Sequence, residues 1–358
     1  MSKVRMAVIG LNHGWKFVDS LSLRPDYVGG ELVALCSKQS EKKDHPNCPD
    51  VPLYHDYIRM LEELRPDGIV AAVPNDMHLE VTREAAKRGV AVLLEKPVAG
   101  TMDDAREIIR IVNDTRIPFQ IGHHRRSSML MKQAKEIIES GRLGRMIGAS
   151  VMWMSKKPDP YFGEQFKWRI TAGVGGPLLI NSIHDIDDLR FTMGEIESIH
   201  AFVGNPIRGN DVEDTGVATI QFKSGAVGSY IFSDGAPSKH FYEACAQEDP
   251  FFHPVEEDCY WFFGEKGTLA FPTMRITGYN EQSGSPAGWT RPFCQERIPV
   301  GRYNPIDEET QNFCRMIVDP TVPSRCTAED STVTLKVVEA IRYSARTGET
   351  VVIDDFNI

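Results

Sequence analysis

The chain has 358 residues, 41% of them hydrophobic and 25% charged, and that length suits two domains better than one core. The charged and aromatic content is that of a globular protein, which excludes a disordered chain. A formal net charge of −10 disfavours a general binder of nucleic acid or of anionic membranes, while leaving room for a local basic pocket that holds a phosphate.

No apolar run approaches the ~20 residues that cross a bilayer. The stretch from Met1 to Gly10 enters a strand at once and leaves no room for a signal peptide, so a cytoplasmic location is expected. The cysteines, Cys36, Cys48, Cys245, Cys259, Cys294, Cys314 and Cys326, are odd in number and form no Cys-x-x-Cys pair. They read as free thiols, and neither a disulfide framework nor a metal site is expected.

The first third alternates short apolar runs with amphipathic stretches. Val4 to Ile9 reads as a strand ending in a turn at Gly10-Leu11-Asn12-His13-Gly14, and further apolar runs follow at Glu31–Cys36, Gly68–Val73, Ala91–Leu94 and Pro118–Ile121. Between them, His78–Arg88 puts Leu79, Val81, Ala85 and Ala86 on one side, with Gly89 as its stop. Asp103–Val112 repeats Ala105, Ile108, Ile109 and Val112 at helical spacing, behind a capping pattern of Thr101 and Asp104. Strands alternating with helices predict a doubly wound parallel sheet, which takes ligands at the carboxyl ends of its strands. This dinucleotide-binding type of domain is expected over residues 1–122.

The pattern changes after residue 122. One helix, Leu130–Ser140, ends at Gly141. Strand-like runs follow at Ile147–Met154, Ile199–Val203, Gly216–Phe222, Ala226–Phe232, Tyr260–Gly264 and Thr268–Phe271, and their punctuation predicts an antiparallel sheet. Pro177–Met193 interrupts them as a helix, with Pro177 in its first turn and Gly194 beyond its end. Helices near Glu308–Val318 and Ala328–Ala345 close the chain, and the Gly-, Pro- and Ser-rich run Tyr279–Val300 reads as a loop that is either mobile or an interface arm. Residues 123–358 are thus expected to form an α+β domain for substrate and oligomer contacts.

Four places carry chemistry. The first turn is a damaged G-x-G-x-x-G fingerprint: Gly10 fits, Asn12 holds the second place, Trp15 holds the third, and Gly14 comes one residue early. Asparagine tolerates positive φ, so the turn can survive, with His13 beside it. The second strand ends at Cys36-Ser37-Lys38, where an NAD enzyme carries a carboxylate for the ribose; Ser37 with Lys38, and Lys42 or Lys43 beyond, leans instead towards a 2′-phosphate and NADP. The fourth strand runs directly into Glu95-Lys96-Pro97, which places Lys96 at the ligand edge with a proline fixing the backbone, behind a peptide bond that is a candidate for cis. An ammonium there orients a substrate hydroxyl and stabilises an alkoxide as hydride leaves. The Pro74-Asn75…His78 segment at the neighbouring strand end is expected to line the same edge. On the later helix Asn181, His184 and Asp188 fall at i, i+3 and i+7 as one polar stripe. His184 is the natural acceptor for a hydroxyl proton, with Asp187 or Asp188 fixing its tautomer.

Together these residues resemble the glucose–fructose oxidoreductase, inositol dehydrogenase and MocA family. The likeness also covers Ala72-Val73-Pro74-Asn75-Asp76-Met77-His78, Gly122-His123-His124-Arg125-Arg126, Ser140-Gly141-Arg142-Leu143-Gly144-Arg145 and Gly264-Glu265-Lys266-Gly267-Thr268-Leu269. It implies a Rossmann domain followed by an α/β domain with a large open antiparallel sheet, whose outer face makes dimers or tetramers. It implies NAD or NADP as cofactor, Lys96 and His184 as the catalytic pair, and His124 and Arg125 near the nicotinamide and the pocket mouth. Many members carry aspartate four residues before the histidine; Ile180 stands there, and Asn181 beside it resembles an Asn-x-x-His subgroup. The segment Lys156-Lys157-Pro158-Asp159-Pro160-Tyr161-Phe162…Trp168-Arg169 lies where such enzymes shape the substrate pocket. An aromatic platform with an arginine fork suits a polyol, sugar or sugar acid, and Tyr161 could serve as an auxiliary acid.

The expectation is therefore an NAD(P)-dependent oxidoreductase acting on a secondary hydroxyl of a sugar, cyclitol or related polyol. Two alternatives share the same features: an enzyme that cleaves glycosides through transient oxidation by NAD, and a catalytically silent sensor that keeps the fold.

Overall fold

The computed structural model describes residues 3–38, 45, 47–279 and 288–358. Among these residues six strands form a parallel sheet: β1 (Val4–Ile9), β2 (Gly30–Cys36), β3 (Leu53–Tyr54), β4 (Gly68–Ala71), β5 (Ala91–Glu95) and β6 (Phe119–Gly122). Their order is β3-β2-β1-β4-β5-β6, parallel at every pairing. Every residue of β4, β5 and β6 is buried. These strands are covered on both faces, which is why they read as unbroken apolar runs without alternation.

The connecting helices are α1 (Trp15–Leu23), α2 (Pro25–Val28), α3 (Tyr57–Leu64), α4 (His78–Lys87) and α5 (Met102–Thr115). Thr101 caps α5 as its spacing predicts, its hydroxyl accepting from the Asp104 N–H at 3.1 Å. Asp56 caps α3 in the same way. Strand β3 and helices α1 to α3 are not among the expected elements, although α3 buries Tyr57, Met60 and Leu61 on one face.

The chain divides into one unit of Met1–Ser127 with Tyr303–Leu335 and another of Ser128–Arg302 with Lys336–Ile358. The first expectation, a single break at residue 122, is corrected here. Helix α9 (Pro305–Val318) returns to the first unit, where Ile306, Phe313, Cys314 and Met316 join Val8, Phe17, Leu21 and Leu35 in one core. An amphipathic pattern states that a helix has an apolar face but not which sheet it covers. The unit boundary falls inside α10 (Ala328–Thr347).

The second unit begins with α6 (Met129–Glu139) and β7 (Met146–Met154), followed by α7 (Ile183–Met193), β8 (Ile196–Gly204), β9 (Thr215–Phe222) and β10 (Val227–Ser233). Then come α8 (Tyr242–Ala246), β11 (Tyr260–Gly264), β12 (Gly267–Phe271), β13 (Arg275–Tyr279), β14 (Phe293–Arg297) and the short β15 (Val351–Val352). The nine strands run β14-β13-β12-β11-β7-β10-β9-β8-β15. All pair antiparallel except β7 with β10, which are parallel. Helices α6 and α7 lie against β12 and β7, so Val151, Trp153, Tyr230 and Phe262 are buried on that side. The other side leaves Phe202, Val227, Ile231, Phe263 and Val352 exposed. Strands β13 and β14 correct the single loop expected over Tyr279–Val300; β14 is exposed at every position and so carries no hydrophobic alternation. Residues 280–287 of that run, like Lys42 and Lys43, lie outside the described residues.

Gly10 decides the shape of the sheet's carboxyl edge. It takes φ +87, and a Cβ there would lie 2.1 Å from the Ala72 carbonyl oxygen. Gly14 packs onto Gly10 in turn, since its Cβ would stand 2.0 Å from the Gly10 carbonyl oxygen. The early glycine therefore supplies the close helix-to-strand contact that the third fingerprint glycine provides elsewhere. Trp15 is free to point away and stack on His45, ring centroids 4.4 Å apart. Asn12 is not among the residues with positive φ, so the expected reason for asparagine there is corrected: the left-handed residue of this turn is Gly10. Gly10→Ala should cost about 1–3 kcal/mol, read as a fall in the urea midpoint with an unchanged slope. An undiminished midpoint would show that the turn relaxes at no cost.

Candidate functional site

In the first unit, residues remote in sequence meet at the carboxyl ends of β1, β5 and β6. Glu95, the last residue of β5, is 6% exposed, and its Oε1 lies 3.3 Å from His13 Nε2 in the turn after β1. The Lys96 N–H donates to Glu95 Oε2 at 3.2 Å. Burial alone would raise the Glu95 carboxyl, but His13 and Lys96 hold it below the usual carboxylate range. Lys96 is half-buried, and its bond to Pro97 is cis. His124, after β6, has its ring centroid 6.5 Å from that of His13. Burial, together with Lys16, Arg125, His13 and Lys96, drives its pKa well below the ordinary histidine value. His124 is thus a neutral imidazole in a cationic neighbourhood.

His78 is fully enclosed. Its Nδ1 lies 2.9 Å from the Pro97 carbonyl and its Nε2 3.1 Å from the Val73 carbonyl. The ring joins the segments leaving β4 and β5 and has no surface with which to touch a ligand, so the expected cofactor contact becomes a support for those that do. Pro74 and Asn75 open a short 3₁₀ turn before α4, with Pro74 exposed and Asn75 half-buried. Arg125 is 1% exposed. It lies in the short 3₁₀ turn 124–127 that follows β6. At the end of β2 the Ser37 N–H donates to the Tyr54 carbonyl at 3.0 Å, His55 Nδ1 donates to the Ser37 carbonyl at 2.7 Å, and Lys38 is exposed.

In the second unit the helix expected over Pro177–Met193 is two pieces. Leu178–Ser182 forms a π turn that runs into α7. Its start is built on glycine: Gly175 would place a Cβ 2.2 Å from the Arg169 carbonyl oxygen, and Gly176, at φ +88, would place one 2.3 Å from Glu213 Oε1. Glu213 then accepts the Leu178 N–H at 2.9 Å. The π turn spends an extra residue per turn, and this rotates Asn181 relative to His184. The single polar stripe is corrected accordingly. Asn181 is half-buried, His184 is 6% exposed, and Asp185, Asp187 and Asp188 are buried around α7. Tyr260 donates to Asp188 Oδ2 at 2.9 Å and also contacts Asp185, while Tyr230 donates to Asp185 Oδ2 at 2.8 Å. Asp188 is therefore engaged by a tyrosine, and the buried Asp185 with its two phenols was not read from the sequence.

Lys157 is the larger omission. Its side chain is 10% exposed, and Nζ donates to Asn181 Oδ1 at 2.7 Å and lies 3.5 Å from Asp234 Oδ2. The ammonium also sits 4.8 Å from the Tyr161 ring and 5.3 Å from the Trp153 ring. Burial pulls its pKa from 10.5 to about 8, with Asp234 limiting the fall. A signal was present: Trp153 points inward from β7, and the period of two carries that face to Lys157 and not to Lys156. Arg169 also contacts the Tyr161 ring, its guanidinium 3.8 Å from that centroid and 4.0 Å from the Phe166 centroid. Its Nη1 donates to the Tyr161 carbonyl at 2.8 Å. Burial raises the Tyr161 phenol above its ordinary value, which makes it a hydrogen-bond donor and a poor acid. Trp168 is 44% exposed.

Two family matches cover most of the chain. Residues 4–123 match the oxidoreductase family with an NAD-binding Rossmann fold, and residues 131–270 match the GFO/IDH/MocA C-terminal domain. A 1,5-anhydro-D-fructose reductase of Ensifer adhaerens is 30% identical over 211 residues, 56% of this chain and 61% of the relative. A levoglucosan dehydrogenase of Pseudarthrobacter phenanthrenivorans is 26% identical over 197 residues, 48% of this chain and 50% of that protein. The matched stretches thus span only half to three fifths of these curated relatives. Among solved structures, the WlbA dehydrogenase of Bordetella pertussis, in complex with NADH and UDP-GlcNAcA, superposes with a TM-score of 0.78 at 21% identity, covering 98% of both chains. The myo-inositol 2-dehydrogenase of Lactobacillus plantarum gives 0.75 at 22% identity, covering 98% of this chain and 99% of that one.

Lys157 also makes a pH signature. Because its folded pKa is lowered to about 8, the unfolded chain holds a proton between that pH and the ordinary lysine range that the folded chain has released. Its contribution to stability therefore rises with pH across that window, by up to ~1.4 kcal/mol per pH unit. Lys157→Met should flatten the unfolding free energy against pH above about 8, and an unchanged slope in the variant would remove Lys157 as its source.

Proposed function

Because the chain belongs to the Gfo/Idh/MocA oxidoreductase family, we propose that it transfers hydride between NAD(P) and a secondary hydroxyl of a sugar, cyclitol or related polyol. The observation that carries the reading is Lys96 at the carboxyl end of β5, in a parallel sheet of order 3-2-1-4-5-6, beside Glu95, His13 and His124. That edge is where such sheets take dinucleotides. Gly10 fits the group, since its bare backbone, closed against Ala72, leaves room for a diphosphate to approach the turn. Gly10, Asn12, His13 and Gly14 would hold the diphosphate, Ser37 and Lys38 the adenosine ribose, and Pro74, Asn75, Glu95 and His124 the nicotinamide side. NAD(P) bound there supplies the hydride acceptor.

The chain's own residues do the rest. Lys96 donates to the substrate oxygen and stabilises the charge that grows on it. Glu95 lies against His13, so in this reading the group that meets the substrate oxygen is the Lys96 ammonium and not the carboxylate. His184 takes the hydroxyl proton. Asn181, Tyr161, Trp168 and Arg169 hold the substrate. The absence of a carboxylate at Ser37-Lys38 supports NADP over NAD.

Lys96→Ala should lower kcat/KM by about 10²–10³-fold, and His184→Ala by about 10²–10⁴-fold, in an absorbance assay of polyols and sugar acids with NAD and NADP side by side. A strong preference for NAD would refute the use of Ser37-Lys38. Glycoside cleavage without net NAD(P)H would favour the transient-oxidation alternative. No turnover of any compound, with Lys96→Ala leaving ligand binding intact, would favour a silent sensor.

We also infer that the exposed side of the nine-stranded sheet makes a homodimer or homotetramer. Phe202, Val227, Ile231, Phe263 and Val352 support this, since they lie on one face of four strands, β8, β10, β11 and β15, and are all exposed. Light scattering should show wild-type oligomers that Phe202→Glu splits into monomers; a monomeric wild type would sink the inference.

A further inference from the structure

The hydrogen-bonding roles of Lys157 and Asn181 can be assigned without a ligand. Lysine offers only donors, so the 2.7 Å contact from Lys157 Nζ turns the Asn181 carbonyl oxygen towards the ammonium. The opposite end of the amide, Nδ2 with two N–H groups, carries no protein hydrogen bond among the described residues. Asn181 is therefore presented as a donor, and what it recognises must be an acceptor oxygen. A neutral hydroxyl could play that part, but the charges around it select more narrowly.

Three cations lie in this cluster. Lys157 and Arg208 share one carboxylate, that of Asp234. Glu243 accepts from the Trp153 indole at 3.0 Å. Arg169 makes no ion pair among the described residues; its guanidinium lies on the Tyr161 and Phe166 rings and bonds only a main-chain carbonyl. Its Nε is buried without a hydrogen-bond partner. A partly buried guanidinium without a carboxylate is costly until an anion arrives, and its planar fork matches a carboxylate. The Tyr161 ring carries Lys157 on one contact and Arg169 on another, so the uncompensated cation and the oriented amide belong to one wall.

We infer that Lys157 is a positioning residue that locks Asn181 as a donor, and that this wall, with Arg169, binds the carboxylate of a sugar acid. The inference rests on the sugar-oxidoreductase reading for its sugar and narrows that reading from neutral polyols to acids. At neutral pH Lys157 still carries its proton, which the assignment of Asn181 requires.

The test is isothermal titration of the full chain with D-glucuronate, D-galacturonate and D-gluconate, each against D-glucose. At least one acid should bind tenfold or more tightly than D-glucose. Lys157→Met should weaken that acid at least tenfold, as the Asn181 amide loses its orientation, while Lys156→Met, at the exposed neighbour, should leave it unchanged. Asn181→Asp keeps the shape and the contact with Lys157 but presents an anion, and should also abolish the preference for the acid. Equal binding of acids and D-glucose by the wild type, or full acid binding by Asn181→Asp, would overturn the inference. NAD(P)H absorbance in the same samples separates the two readings. Selective acid binding without cofactor reduction leaves this site standing and removes the dehydrogenase; turnover of neutral polyols without acid preference does the reverse.

Discussion

Gly10 passes so close to the Ala72 carbonyl that no side chain fits between them, and the carboxyl edge of the parallel sheet is organised by that approach. The turn after β1 can then lie flat against the end of β4, and Gly14 can seat α1 against Gly10. His13, carried by the same turn, reaches Glu95 at the end of β5. One backbone conformation thus brings together segments from three strand ends. The parallel order of the sheet fixes which ends these are, and the close packing fixes their spacing.

Buried charge is the second constraint, and each unit handles it in its own way. In the first, Glu95 stays ionised because His13 and Lys96 outweigh the cost of burial, and His124 goes neutral because burial and the cations around it disfavour its charge. In the second, two carboxylates of α7, those of Asp185 and Asp188, accept from the phenols of Tyr230 and Tyr260. Paired buried groups of this kind add little net stability but are expensive to separate, so they hold α7 in one orientation. Arg169, by contrast, makes no ion pair among the described residues and rests on aromatic rings.

The parallel sheet, the cap on α5 and the glycine that ends α6 were legible because each is a local matter: an apolar run, a threonine three residues before an acid, a residue that tolerates positive φ. Lys96 was legible for the same reason, since a strand that stops at Glu95 puts the next residue at the edge. The helix around His184 was legible as a helix, but its π turn was not. Nothing in Leu178–Ser182 distinguishes a π turn from an α turn; its start is anchored by Gly175, Gly176 and Glu213 elsewhere in the unit.

What the sequence determined by itself is therefore the class of fold, the order of its elements and the residue types available for chemistry. Tertiary structure decided which of two adjacent lysines is buried against Asn181, which histidine supports loops from inside while another pairs with a carboxylate, and which core receives α9. These outcomes depend on contacts between positions tens to hundreds of residues apart. Periodicity reports only a residue's own face, whereas the environment that gives a charge its partner, its protonation and its direction comes from the neighbours that folding brings to it.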